Sequence, residues 1–189
     1  MEISRTLYVA SSSEWRDWLK KNHATEKEIW LVYFRKSSGK KRIPYNDAVD
    51  EALCFGWIDS TVKKIDEKSF AQRFTPRNPK SHVSEMNKER IRKLLKENKM
   101  TESGLNAVKN FFHPVKDRKE KFAVATDILR EIKKNSKAWK NFQKFPLGYK
   151  RVRIGYIESQ RKHSAEAFQK SLKNFIKKTE QNKKFGMLQ

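Results

Sequence analysis

The residues best equipped for chemistry gather in two short segments, YNDAVDEALCFGWIDS at 45–60 and QRFTPRNPKS at 72–81. The first supplies Tyr45, Asp47, Glu51, Trp57, Asp59 and Ser60, and the second supplies Arg73, Thr75, Arg77 and Ser81. An aromatic wall beside a carboxylate and two guanidiniums suits a small anionic or amphoteric ligand, since guanidinium forks meet carboxylate or phosphate in a fixed geometry. Asp59 or Glu51 could also serve as a general base in an enzyme acting on a small substrate, though carboxylates alone are thin support for one. A plainer alternative pairs Asp59 with Arg73 or Arg77 across a hairpin and leaves Trp57 in the core.

Other reactive residue types fall into no catalytic pattern. Cys54 lies beside Leu53 and Phe55 in the phase of a helix and reads as a buried structural thiol. His23, His82, His113 and His163 are scattered, with no spacing that suits a metal, and neither CxxC nor HExxH occurs. GxGxxG and the P-loop are absent too, and six glycines are poor material for a phosphate cradle. Neither a metal nor a cofactor is expected.

The elements that must position the two segments follow from pattern. Ser11 to Ser13 offer caps ahead of EWRDWLKKNH, where Trp15, Trp18 and Leu19 share one helical face. KEIWLVYFRK reads as a buried strand closed by Ser-Ser-Gly. Pro44, Asn46 and Asp47 open a helix through AVDEALCF, ended by Gly56. WIDSTVKKIDEKSFAQRFTPR then reads as two antiparallel strands around a turn at Asp66 to Lys68, with Trp57 and Asp59 on one face. From Ser84 onward the pattern is helical. Apolar positions recur through Ile91, Leu94 and Leu95, through Leu105 and Val108, and from Phe122 through Ala125 and Ile128 to Ile132. Ser136 offers a cap for KAWKNFQKF, Pro146 and Gly148 break the chain, and Ser164 begins a last helix. There Phe168, Leu172, Phe175 and Ile176 oppose Lys170, Lys173 and Lys177.

The chain of 189 residues carries a net charge of +22, and that charge is unevenly placed. Residues 1–60 hold 10 basic and 9 acidic residues, a net of +1, which leaves +21 for residues 61–189. Such an excess implies an anionic partner, an anionic surface or a heavily solvated exterior. Lysines outnumber arginines by 31 to 13, which favours solvated surface over bidentate phosphate recognition. The basic tail, with Phe168, Phe175 and Phe185 among lysines, is also compatible with non-specific nucleic-acid or membrane-surface binding, although those rings form the apolar face itself. A single cysteine cannot make an internal disulfide. No signal-peptide pattern opens the chain and no apolar run approaches a membrane span, so cytoplasm is the expected address.

The runs ALCFGWIDS, QRFTPRNPKSHVSEMN and MTESGL together resemble the YdeI/OmpD-associated family, also labelled bacteriocin-protection. The resemblance extends from about Trp30 into the helical tail and is strongest over residues 51–60 and 72–105. It implies an α+β fold and a protection phenotype, without an established reaction. The positions it carries over are Cys54, Gly56, Trp57, Ile58, Asp59, Arg73, Thr75, Pro76, Arg77, Ser81, Ser84 and Asn87. Val83 stands where that family usually has Trp, and Ser60 where Gly is common. Tyr156-Ile157 resembles a Trp-Ile pair, but a Glu-Thr-Arg that commonly follows is replaced around His163 to Ala165.

The sequence thus predicts one α+β domain over 1–189, a small antiparallel sheet with N-terminal helices in 1–83 followed by a helical 84–189. The expected site is a ligand pocket built from Tyr45, Glu51, Trp57, Asp59, Arg73, Thr75, Arg77, Ser81 and, through the resemblance, Asn87. Its expected occupant is a small anionic molecule, and any protection is expected to be indirect, since a protein of net charge +22 repels cationic peptides.

Overall fold

The computed structural model describes residues 2–113 and 122–186. By internal packing the chain divides into two compact units, residues 1–83 with 90–114 and residues 84–89 with 115–189. Its class is α+β, as the sequence predicts.

The first unit is built on a four-stranded sheet in the order β1-β2-β4-β3, formed by β1 (Thr6–Leu7), β2 (Ile29–Phe34), β3 (Trp57–Lys64) and β4 (Ser69–Pro76). The aromatic and β-branched run at 29–34 takes the central strand because such side chains pack well on a pleated surface. β4 pairs antiparallel with β2 on one side and with β3 on the other, the second pairing closed by the predicted turn. There Asp66 accepts from the Lys68 amide at 2.7 Å. The predicted sheet is antiparallel throughout, whereas β1 adds parallel to β2. A two-residue strand has too few positions to show an alternating pattern, so it leaves no mark in the sequence.

Helix α1 (Ser12–Asn22) starts where Ser11 accepts from the Glu14 amide, while Glu14 reaches back to the amide of Ala10 at 2.9 Å. This reciprocal arrangement satisfies donors that a helix start otherwise leaves bare. Trp15 and Leu19 from α1 pack with Ala48, Ala52 and Leu53 from α2 (Tyr45–Cys54) and with Ile29, Leu31 and Phe74 from the sheet. A short 3-10 turn (Lys36–Ser38) ends at Gly39, and the chain then runs through Arg42 to Pro44 at the start of α2.

Two glycines let α4 (Glu102–Val108) dock on the end of α2. Gly56 has φ of +77°, a left-handed conformation that favours glycine. A Cβ on Gly104 would lie 2.3 Å from the Cys54 carbonyl oxygen. That same oxygen accepts from the Thr101 hydroxyl at 2.5 Å and from the Thr101 amide at 3.1 Å. The MTESGL run is therefore a docking device, with Thr101 as both helix cap and anchor. Helix α3 (Glu85–Lys96) contributes Ile91 to a small core with Val83, Val108 and Phe112.

In the second unit, α5 (Thr126–Lys134), α6 (Ser136–Lys144), α7 (Leu147–Gln160) and α8 (Ala165–Glu180) enclose a core of Ile128, Ile132, Phe142, Ile157, Phe168, Leu172 and Phe175. Helix α8 packs against both α6 and α7. Ser164 caps α8 as predicted, accepting from the Ala167 amide at 3.0 Å, and Lys170, Lys173 and Lys177 lie on its exposed side. Two expectations shift slightly. Asn135 rather than Ser136 caps α6, accepting from the Ala138 amide at 3.0 Å, and α5 begins at Thr126, after Phe122 and Ala125. Asn and Ser are comparable caps, so neighbouring candidates do not separate by residue type.

Candidate functional site

β-Sheet register decides which predicted site residues meet. Asp59 is paired with Phe74 and Trp57 with Pro76, so these four share the face on which Phe74 meets Trp15 of α1. Arg73 and Thr75 alternate to the opposite face, where Arg73 is the partner of Trp30. The sheet thus separates Arg73 from Asp59. Arg73 pairs with Glu28 at 2.5 Å, and this contact, after the Ser4 hydroxyl, holds the Glu28 carboxylate below its ordinary pKa.

Trp57 is core. It is 1% exposed, its indole N–H donates to the His23 carbonyl at 3.0 Å, and its ring stands edge-on to Trp18. Glu51 is buried and salt-bridged to Arg16 at 2.6 Å. Arg77 is 8% exposed and spends one terminal nitrogen on the carbonyls of Ser81 and His82, folding the 77–82 loop back on itself. Its Nε is buried without a partner among the described residues. Burial lowers its pKa. Ser81 donates its hydroxyl to the Asn78 carbonyl at 2.7 Å. Asn87 belongs to the second unit, in the first turn of α3, where its amide donates to Ser84 Oγ. Neither these five residues nor Arg73 and Thr75 line the cleft described next.

Tyr45 and Asp59 do come together, in a cleft of about 450 Å³ lined by Tyr33, Arg42, Pro44, Tyr45, Asp59, Ser60, Val62, Phe70 and Gln72. It lies where three features converge: the end of β2, the approach to α2 and an irregularity in β3. Between Asp59 and Val62 the register of β3 slips against β4. Such a bulge re-aims side chains and interrupts the ladder. Here the Gln72 amide spans the interruption, donating to the Ser60 carbonyl at 3.2 Å.

The cleft's polar groups are unequally satisfied. Tyr45 donates its hydroxyl to Asp59 Oδ2 at 2.6 Å, and burial, then this bond and the Asp59 charge, push its pKa up to about 12. Asp59 Oδ1 accepts no hydrogen bond among the described residues. Arg42 donates one N–H to the Phe34 carbonyl at 3.2 Å and meets no carboxylate among the described residues. The Tyr33 ring stacks on Phe70, centroids 5.3 Å apart, and its residue is 2% exposed. Its hydroxyl is buried with no hydrogen-bond partner among the described residues. Burial, reinforced by Tyr45 and Asp59 and opposed by Arg42, raises its pKa, so it keeps its proton and can donate.

Tyr33 and Arg42 were not singled out by the sequence. Alternation along KEIWLVYFRK does put Tyr33 on the face of Ile29 and Leu31, but nothing local shows that the inner face is left open at that end. Arg42 sits three residues before Tyr45, in the link that enters α2.

A family model described as a domain of unknown function (DUF8412) matches residues 7–107, which is 101 of the 189 residues. The chain belongs to this family. Every residue lining the cleft falls within the DUF8412 match. A second model, described as bacteriocin-protection, YdeI or OmpD-associated, matches residues 121–182 and bears out the resemblance to that family. The matched stretch covers α5 to α8, whereas the motifs that carry the resemblance between Ala52 and Leu105 lie inside the DUF8412 match. No curated protein and no solved structure matches the chain.

Among the described residues no helix is long and apolar enough to cross a membrane. No group of three or more His, Cys, Asp or Glu is placed to hold a metal among them either. The tail aromatics Phe168 and Phe175 are buried in the core of the second unit and are not free to stack on bases.

Proposed function

We propose that this protein binds a small, anion-bearing molecule in the cleft beside the β3 bulge. The observation that carries the reading is the Tyr33 hydroxyl, buried at the cleft and without a partner among the described residues. An unsatisfied buried hydroxyl costs about 1–3 kcal/mol, which a ligand atom at that position would offset. Arg42 supplies positive charge on the same lining, and Phe70, Val62 and Pro44 supply an apolar wall. Trp57, Arg73 and Arg77 hold the scaffold in this reading, and the ligand is met by Tyr33, Arg42, Tyr45 and Asp59. The protein acts in the cytoplasm, and any contribution to bacteriocin protection is indirect, through the ligand, because its net charge of +22 repels cationic peptides.

A thermal-shift screen of small carboxylates, phosphates and amphoteric metabolites tests the proposal. Tyr33→Phe and Arg42→Gln should each weaken a stabilising hit by about tenfold or more in Kd, the loss of one charge-assisted or buried hydrogen bond. A hit whose affinity is unchanged in both variants, or a panel with no hit at all, sinks it.

A further inference from the structure

The cleft holds two opposite charges that do not neutralise each other. Arg42 lines it with one hydrogen bond spent on the Phe34 carbonyl, and Asp59 lines it with Oδ2 spent on Tyr45. Elsewhere in this unit, arginines near a carboxylate take it directly, as Arg16 does Glu51, Arg73 does Glu28 and Arg90 does Asp50. Arg42 and Asp59 line the same cleft, yet no ion pair joins them among the described residues. A simple anion would satisfy Arg42 and be opposed by Asp59, and a simple cation would meet the reverse. A molecule with both charges satisfies both.

We infer that the ligand is a small zwitterion, with its carboxylate on Arg42, its ammonium on Asp59 Oδ1 and a flat apolar group against Phe70 and Val62. This rests on the binding reading above and narrows its ligand class. The parts have separate roles. Tyr45 fixes the Asp59 carboxylate through Oδ2 and so leaves Oδ1 to the ligand. The Tyr33 hydroxyl stays protonated and can donate a second bond to the ligand carboxylate. The stacked Tyr33–Phe70 pair, only 8° from parallel, gives the lining a rigid aromatic surface. A cleft of about 450 Å³ falls within the range of small-molecule sites, about 300–1,000 Å³.

Calorimetric titration of the full chain with three probes tests this: L-phenylalanine with both charges, N-acetyl-L-phenylalanine with the anion alone and L-phenylalaninamide with the cation alone. The zwitterion should bind about tenfold or more tighter than either, since each truncation removes a charge-assisted bond. Asp59→Asn, which can still accept from Tyr45, should erase the preference over the N-acetyl form. Arg42→Gln should erase the preference over the amide. Melting temperatures near wild type establish that both variants are folded. Equal binding of zwitterion and N-acetyl form overturns the inference, as does full discrimination retained in Asp59→Asn, or no binding of any of the three. The broader reading is judged separately: a metabolite hit weakened by Arg42→Gln leaves the cleft standing with a simple anion as its ligand.

Discussion

The Tyr45 hydroxyl donates to Asp59 Oδ2 across 2.6 Å, joining the first residue of α2 to the last regularly paired residue of β3 before its bulge. The bond fixes one oxygen of the carboxylate and leaves the other to the cleft. It also ties the tyrosine's ionisation to folding. Burial and the Asp59 carboxylate raise the Tyr45 pKa from 10.0 to about 12. The folded state therefore holds this proton more tightly than the unfolded state. The stabilisation is complete below pH 10 and is lost as pH rises through about 12. Stability curves of wild type and Tyr45→Phe over that range should converge with rising pH; parallel curves would show that the phenol is not coupled to folding.

Gly104→Ala should destabilise the protein despite the better helix propensity of alanine. The new methyl would lie 2.3 Å from the Cys54 carbonyl oxygen, which cannot retreat without losing two bonds from Thr101. Overpacking against backbone costs about 1–3 kcal/mol or more, against about 1 kcal/mol gained in propensity. Urea denaturation should show a net loss of about 2 kcal/mol, and an unchanged midpoint would contradict the docking role.

Arg90 is almost fully buried and is bound by Asp50 together with the Asn46 side chain at 2.7 Å. Removing Arg90 leaves the poorly solvated Asp50 carboxylate with only the exposed Lys93 ammonium, 3.9 Å away. Arg90→Met should therefore cost about 3–5 kcal/mol. The double change with Asp50→Leu should recover part of that loss, a comparison that a thermal-denaturation cycle reads directly.

Cys54 is fully buried, and burial pushes its thiol pKa up to about 11, with the Arg16 hydrogen bond acting against that rise. It is held as a neutral thiol at neutral pH. A thiol reagent at pH 8 should leave the native protein unlabelled and label it stoichiometrically in denaturant. Rapid native labelling would revive a nucleophilic role.

Most of the fold was legible because its signals are local. The helix in EWRDWLKKNH, the hairpin turn at Asp66 and the Ser164 cap all depend on a few neighbouring residues, and each appears where the pattern places it. The cleft was legible only in part, because it depends on register. Tyr45 and Asp59 were readable as a pair of capable residues in one segment. That Arg73 faces away from Asp59 follows from its pairing with Trp30, and that Tyr33 and Arg42 complete the lining follows from where α2 begins relative to β2. Neither relation is written in any short window. Trp57 shows the converse: its spacing suits a ligand wall, and its indole N–H is spent on His23 in the core.

The irregular register of β3 has a further effect. β3 is an outer strand of the sheet, a position where a long, regular strand invites another chain to pair with it. Here the ladder breaks between Asp59 and Val62, and Lys63 and Lys64 follow at once. An incoming strand would meet mismatched donors and two positive charges. The distortion beside the cleft thus also blunts an edge that would otherwise template pairing, so a variant that straightened this strand should be less soluble.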